Sequence, residues 1–122
     1  MRTEDPSGQL ASSLRVNVAR EGKIDLALHV TNRSGGQLEL RFPSGQTHEF
    51  LVLDPVGREI WRWSEGRMFT QALKTHLLND GETVTYTEEW TAGVRPPGSY
   101  TAVATLRSTD HPIETRVDFT LP

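Results

Sequence analysis

The stretch that decides the fold is residues 24–42, IDLALHVTNRSGGQLELRF. Apolar residues occupy every second position from Ile24 to Val30, and the same pattern returns from Leu38 to Phe42. A run of turn-forming residues at 32–36 separates the two segments. A period of two is typical of β-strands that bury one face, so this stretch predicts two strands joined by a turn.

Short alternating segments separated by turn residues continue along the rest of the chain. The turn Asp54-Pro55-Val56-Gly57 has the residues of a type I turn and makes 46–63 a predicted hairpin. Residues 67–78 are ambiguous, because they fit either a helical turn or a strand from Leu73 to Leu78. Many short strands with Gly and Pro turns predict an all-β fold, specifically an immunoglobulin-like antiparallel β-sandwich of about eight or nine strands.

Length and composition fit one globular domain. The chain has 122 residues, of which 35% are hydrophobic and 24% charged, and this size can bury one core. Residues 1–13 are polar and are predicted to form a flexible N-terminal tail. Residues 14–122 are predicted to form the sandwich domain.

Charge and cysteine content limit the partners and the compartment. The net charge is −3 and basic residues form no run, so nucleic acid is not an expected partner. The absence of cysteine fits a reducing compartment, and no apolar run is long enough to span a membrane. We therefore expect a cytoplasmic protein or, if a signal sequence was removed, a cell-envelope one. The oligomeric state is left open.

Catalytic and metal-binding patterns are not evident. No two of the four histidines (His29, His48, His76 and His111) have a metal-ligand spacing, and all are expected at the surface. No G-x-S-x-G motif occurs. Glu88 lies on the same face of its predicted strand as the apolar residues around it, which predicts an edge strand or a bulge there. We expect no enzymatic activity and no cofactor.

Trp61 and Trp63 lie two positions apart and leave two interpretations open. On one face of an exposed strand they would form a platform for sugar binding. Alternatively, at least one of them belongs to the core, because aromatic side chains dominate the burial of small cores. The second interpretation is favoured by about two to one.

The segment Ser64-Glu65-Gly66-Arg67-Met68-Phe69 is the best candidate for a binding loop. It follows a strand, contains a turn and then offers two large apolar residues, which a partner's pocket would accept. Arg67, Met68 and Phe69 are therefore the predicted partner-binding residues. The alternative is that Met68 and Phe69 close the open end of the sandwich.

Several of these motifs together resemble the intracellular proteinase inhibitor family, BsuPI. The resemblance runs over nearly the whole chain from about residue 14. The motifs that carry it are Phe42-Pro43-Ser44-Gly45-Gln46, Phe50 with Val52, Ile60-Trp61-Arg62-Trp63-Ser64, Gly66 to Ala72, Leu78 to Glu82, Tyr86 with Trp90, and Gly98-Ser99-Tyr100-Thr101.

The resemblance implies an immunoglobulin-like sandwich that inhibits an intracellular subtilisin-type serine protease. It carries over no reactive-site residue. If a rigid loop does the binding, we expect Trp61 and Trp63 to anchor its near end, Leu73 to anchor its far end, and Met68 or Phe69 to fill the protease pocket. The alternatives are a non-inhibitory adhesion or scaffold domain and a carbohydrate-binding module that uses Trp61 and Trp63.

Overall fold

The structure, a computed structural model, describes residues 8–122 in full and residues 2–4 in backbone only. A 3-10 turn at Arg20–Gly22 joins the second strand to the third. The strands of the described residues are β1 (Arg2–Glu4), β2 (Leu10–Val18), β3 (Lys23–Asn32), β4 (Leu38–Phe42), β5 (His48–Leu53), β6 (Glu59–Arg62), β7 (Lys74–Leu78), β8 (Thr83–Thr91), β9 (Gly98–Leu106) and β10 (Ile113–Leu121).

Antiparallel pairing organises these strands into two four-stranded sheets and one two-stranded sheet. The first sheet has the order β1-β2-β3-β8, the second has the order β10-β9-β5-β6, and β4 pairs with β7. This arrangement confirms the predicted all-β antiparallel sandwich. Within the described residues there are ten strands, one more than the upper end of the predicted number.

One hydrophobic core lies between the sheets. Every apolar residue of the alternating stretch in β3 is at most 1% exposed, and the polar residues between them face outward or are half-buried. The second and third sheets close the core from the other side with Leu40, Phe42, Phe50, Val52, Leu78, Tyr100, Ala102, Ala104 and Leu106. Because each fully buried Leu, Ile or Phe contributes about 1.5–3 kcal/mol, this core is the main source of stability.

The predicted hairpin at 46–63 is confirmed. β5 pairs with β6, and the amide of Gly57 donates to the carbonyl of Asp54 at 2.9 Å. The Asp54 carboxylate accepts hydrogen bonds from the amides of Arg58 at 2.9 Å and Val56 at 3.0 Å. These two hydrogen bonds, of which that from the Arg58 amide has the larger effect, lower the pKa of Asp54 below its ordinary value.

The structure corrects the predicted tail and confirms the strand alternative for the ambiguous segment. Residues 10–13 belong to β2, and Leu10 and Ala11 are buried, so for them the prediction of a flexible tail is wrong. Residues 2–4 form a strand that pairs with residues 11–13, whereas residues 1 and 5–7 of that tail lie outside the described residues. In the ambiguous segment, residues 74–78 form β7.

Within the part of the chain that the structure describes, no helix has the length and apolar character needed to cross a membrane.

Candidate protein-binding site

The loop of residues 64–73 joins β6 to β7 and starts with two tight turns. The amide of Glu65 donates to the carbonyl of Arg62 at 3.2 Å, and the amide of Arg67 donates to the carbonyl of Ser64 at 3.0 Å. Gly66 has φ 79°, a left-handed conformation that is unfavourable for residues with a Cβ. These turns reverse the chain directly after β6 and bring Arg67 back over Trp63.

Trp63 is the base of the loop. Its side chain is only 9% exposed, and its amide donates to the carbonyl of Phe50 in β5 at 2.9 Å. Its backbone is thus tied to the sheet and its indole is packed into the core. The loop therefore rests on a fixed aromatic surface.

The residues on either side of Met68 both pack on this indole. The guanidinium carbon of Arg67 lies 4.7 Å from the centroid of the Trp63 ring, and its Nε donates to the Trp63 carbonyl at 2.9 Å. The ring of Phe69 lies 5.6 Å from that of Trp63, centroid to centroid. Cation–π and aromatic contacts of this kind each contribute about 0.5–1.5 kcal/mol.

Met68 itself is turned away from the protein. Its side chain is 97% exposed, whereas Phe69 is half-buried. The three predicted partner-binding residues therefore lie together in one loop but differ in their surroundings. Arg67 and Phe69 contact the protein's own core aromatic residue, and Met68 is free to contact a partner.

A buried carboxylate supports the start of the loop, and the sequence analysis did not identify it. Glu49 is 4% exposed, and its Oε1 accepts hydrogen bonds from the amides of Ser64 and Phe50, both at 3.1 Å. Its Oε2 accepts from Nε2 of Gln46 at 3.2 Å and forms an ion pair with Arg62 at 3.5 Å. Because several donors surround it, Glu49 links β5, β6 and the first loop residue.

Arg62 is shared between two carboxylates. It forms a second, shorter ion pair with Glu59 at 2.6 Å. The hydrogen bond to Glu59, with the charges of Glu59 and Glu49, raises the pKa of Arg62 above its ordinary value. The same hydrogen bond lowers the pKa of Glu59. Arg62 therefore stays charged beside the buried carboxylate.

The far end of the loop is held by the backbone of Gly45. Its amide donates to the carbonyl of Thr70 at 2.9 Å. A Cβ at position 45 would lie 2.5 Å from Oγ1 of Thr70 and 3.2 Å from its amide nitrogen, so any larger residue would force one of the two segments to shift. Leu73 was expected to anchor this end, but it is 84% exposed, and that expectation is wrong. The far end of the loop is held instead at Phe69 and Thr70, which precede Leu73 in the chain.

His48 lies beneath the base of the loop, which corrects the expectation that it is a surface residue. Its side chain is 12% exposed and its ring stacks between those of Trp63 at 4.5 Å and Tyr86 at 4.8 Å. Burial raises the pKa of Tyr86. The imidazole also hydrogen-bonds Glu88 at 2.8 Å and Thr47 at 2.9 Å. This aromatic stack adds a support for Trp63 that comes from β5 and β8.

The contact with His48 also explains the unusual phase of Glu88. β8 lies at the edge of its sheet, as the sequence predicted. Glu88 points toward the second sheet and has a partner there. A carboxylate facing a sandwich interior needs such a partner, since an unpaired buried charge is costly.

The tryptophans do not form a sugar-binding platform. Trp63 is buried, and the half-buried Trp61 stacks on Trp90 with ring centroids 5.7 Å apart. The interpretation that at least one tryptophan belongs to the core is confirmed. The expectation that both anchor the loop holds only for Trp63, because Trp61 contacts Trp90 in the other sheet.

Among the described residues, no group of three or more His, Asp or Glu side chains has an arrangement that could hold a metal ion. His29 hydrogen-bonds Thr85 across two neighbouring strands at 2.9 Å.

Comparison with known families gives a match that covers most of the chain. The family model described as BsuPI, intracellular proteinase inhibitor, matches residues 10–111. Among curated proteins, no sequence matches this chain.

Solved structures with a similar arrangement include much larger glycosidases. They include β-glucosidase 3B from Thermotoga neapolitana in complex with glucose, with 14% identity and a TM-score of 0.48. A GH3 β-glucosidase from Bifidobacterium adolescentis has 14% identity and a TM-score of 0.49, and β-glucuronidase 2 from Bacteroides uniformis has 17% and 0.49. The alignments cover 91%, 92% and 93% of this chain but 15%, 17% and 13% of those enzymes. At these values the likeness carries no inference about function.

Proposed function

The chain belongs to the BsuPI family of intracellular proteinase inhibitors, and on that premise we propose that it inhibits a subtilisin-type serine protease by inserting the loop of residues 64–73 into the active-site cleft. A proteinase is the partner class that the family description implies. The subtilisin type, the loop and the cytoplasm as the compartment are parts of the proposal. The protein acts by binding and performs no catalysis of its own.

The observation that carries this proposal is the contrast between the free side chain of Met68 and the two fixed side chains next to it in the chain. Met68 is 97% exposed, while Arg67 and Phe69 both pack on the buried Trp63. A protease inhibitor gains affinity when the bound shape of its loop exists before binding, because less conformational entropy is lost on association. In a chain without disulfides this rigidity has to come from packing, and Trp63, Glu49 and Gly45 supply it.

An exposed apolar side chain on a fixed loop also supports protein binding over other roles. A large apolar residue that is fully exposed costs solubility and contributes little to folding. Anchor residues at the centre of protein interfaces are of this kind and enter pockets on the partner. The adhesion or scaffold alternative would use the same surface for a partner that is not a protease.

Inhibition is tested by titrating the full chain against a subtilisin-type serine protease. The protease hydrolyses a chromogenic peptide while the chain is added up to micromolar concentration. We expect the rate to fall toward zero with a stoichiometric end point. An unchanged rate at micromolar chain contradicts the proposal and favours a scaffold role.

A specificity control separates inhibition of this class from general interference. A trypsin-like and a thiol protease are titrated in parallel with their own chromogenic peptides. We expect weaker inhibition of both; for the trypsin-like protease the reason is the carboxylate at the base of its primary pocket, which selects a basic side chain. Equal inhibition of all three proteases would contradict insertion of Met68 into a selective pocket.

A further inference from the structure

We propose, on the basis of the function above, that the peptide bond between Met68 and Phe69 is presented to the protease and that Met68 fills the primary specificity pocket of the enzyme. Trp63 holds the residues on both sides of this bond, so that the protease re-forms the bond after it has been cleaved. The target would then be a protease whose primary pocket accepts a long, unbranched apolar side chain. The sequence left the choice between Met68 and Phe69 open, and their surroundings decide it.

Exposure assigns Met68 to the pocket. The side chain that fills a specificity pocket has to enter it without giving up contacts within its own protein. Met68 meets this condition at 97% exposure, whereas Phe69 would have to give up its contact with the indole of Trp63. The flexible, polarisable side chain of methionine also fits apolar pockets of varied shape.

The two sides of the Met68–Phe69 bond share one support. Arg67, on the acyl side, stacks on Trp63 and donates to its carbonyl. Phe69, on the amine side, packs on the same indole, and Thr70 after it accepts a hydrogen bond from Gly45. These contacts do not pass through the bond itself. Its cleavage therefore leaves both new chain ends attached to the same part of the core.

This shared support determines the fate of the acyl-enzyme. The protease serine Oγ adds to the carbonyl carbon of Met68 and its proton passes to the enzyme's base. The C–N bond then breaks, and the nitrogen of Phe69 takes that proton and leaves as an amine. Because Phe69 and Thr70 remain held in place, this amine stays next to the ester at a high effective concentration. It attacks the ester carbon, its surplus proton returns through the enzyme's base to the serine Oγ, and the peptide bond is restored faster than water hydrolyses the ester. In a molecule whose ester has been hydrolysed, the serine Oγ adds to the Met68 carboxyl with release of water, which regenerates the same acyl-enzyme.

A second loop offers a matched control at the opposite end of the molecule. Val94, in the loop of residues 93–97 that leads into the start of β9, is fully exposed. Arg95 stacks over Trp90 at 5.5 Å and donates to the carbonyl of Ala92 at 3.1 Å. This loop resembles the first in exposing an apolar residue beside an arginine stacked on tryptophan. No aromatic contact among the described residues holds the other side of Val94, so resealing is not expected there.

The test first maps the cleaved bond. The chain is incubated with a catalytic amount of the inhibited protease, and the products are identified by mass spectrometry. We expect one cut, between Met68 and Phe69. The purified cut protein, incubated again with the protease, is expected to regain intact chain and to reach the same ratio of cut to intact molecules as the uncut protein. A cut at another bond, or a cut form that never reseals, overturns the inference.

Two charge substitutions complete the test. Met68→Glu is expected to weaken inhibition about 100-fold, as for the central anchor of an interface, and Val94→Glu is expected to leave it unchanged. Both positions are exposed, so neither change should alter the thermal unfolding midpoint. The reverse order of effects, or no effect of Met68→Glu, overturns the inference while inhibition by the original chain still supports the proposed function. Failure of the original chain to inhibit would instead contradict the proposed function.

Discussion

The guanidinium of Arg67 lies over the indole of Trp63, 4.7 Å from its ring centroid, and its Nε donates to the carbonyl of the same residue at 2.9 Å. One arginine therefore contacts both the side chain and the backbone of a residue that is itself fixed in the core. Lysine cannot reproduce this arrangement, because the planar guanidinium provides both the stacking surface and the directed N–H. Arg67 is thus a positioning residue for Met68.

Replacing Arg67 should weaken inhibition while leaving the fold intact. Loss of the stack and of the hydrogen bond in Arg67→Ala lets the acyl side of the loop move, and we expect about tenfold weaker inhibition. Arg67→Lys should recover little of this loss. Inhibition titrations give the affinity, and acrylamide quenching of tryptophan fluorescence should increase because the face of Trp63 is uncovered. Unchanged quenching together with full inhibition by Arg67→Ala would contradict the positioning role.

Glu49 should be important for stability as well as for the loop. Glu49→Ala removes the acceptor of the Ser64 and Phe50 amides, and buried groups that lose their partner cost about 1–3 kcal/mol each. We expect the free energy of unfolding to fall by about 2–4 kcal/mol. Glu49→Gln keeps one acceptor oxygen and should lose less.

Urea unfolding followed by tryptophan fluorescence measures this effect. The control is Glu65→Gln, which changes an exposed carboxylate in the same loop and should leave the midpoint nearly unchanged. Equal midpoints for Glu49→Ala and Glu65→Gln would show that the buried carboxylate contributes nothing.

The fold could be predicted from local sequence, and the site only in part. The alternation in residues 24–30 identifies a strand with one buried face wherever the strand is placed. Likewise, the segment 64–69 shows that apolar residues follow a turn. Neither pattern tells which of Met68 and Phe69 faces the protein, since that depends on the position of Trp63. The assignment of roles within the loop therefore required the structure.

The burial of the polar residues that support the loop depends on contacts between residues far apart in the sequence, which the sequence alone does not specify. Glu49 meets Ser64 across the hairpin, and His48 meets Glu88 on the other sheet. The phase of Glu88 among apolar residues was the one available signal, because a carboxylate on an inward face needs a partner. It indicated an edge strand or a bulge, of which the edge strand is observed, but it could not identify His48 as the partner.

Stability should fall at low pH, in part through Asp54. Hydrogen bonds from the Arg58 and Val56 amides lower the pKa of Asp54 in the folded protein below the ordinary 3.8 that applies to the unfolded chain. The stabilising contribution is therefore complete above this ordinary value and is lost as the pH falls through the folded-state value. Asp54→Asn removes the titration, so its unfolding midpoint should change less between about pH 5 and about pH 2.

Thermal unfolding at a series of pH values compares the two proteins. Glu65→Gln serves as the control for removal of any exposed acid and should follow the original chain. Parallel curves for Asp54→Asn and the original chain would contradict a role of the Asp54 turn in acid sensitivity.

The contact between Gly45 and Thr70 gives the sharpest test of how the far end of the loop is held. Gly45→Ala places a Cβ 2.5 Å from Oγ1 of Thr70, so one of the two segments has to move. We expect a loss of about 1–3 kcal/mol in the free energy of unfolding, as for an overpacked site, together with weaker inhibition. Thr70→Ala removes Oγ1, and in the double variant much of this loss should be regained.

Coupling between the two positions is the diagnostic quantity. A double-mutant cycle in urea should give an interaction energy of at least about 0.5 kcal/mol, because the shortest contact, from the added Cβ to Oγ1 of Thr70, exists only when both side chains are present. Gly36→Ala is the matched control, since a Cβ at that position meets no atom within 4 Å and should change neither stability nor inhibition. If Gly45→Ala is as well tolerated as Gly36→Ala, the loop is not held at Thr70, and the amine side of the Met68–Phe69 bond has lost one of its two supports.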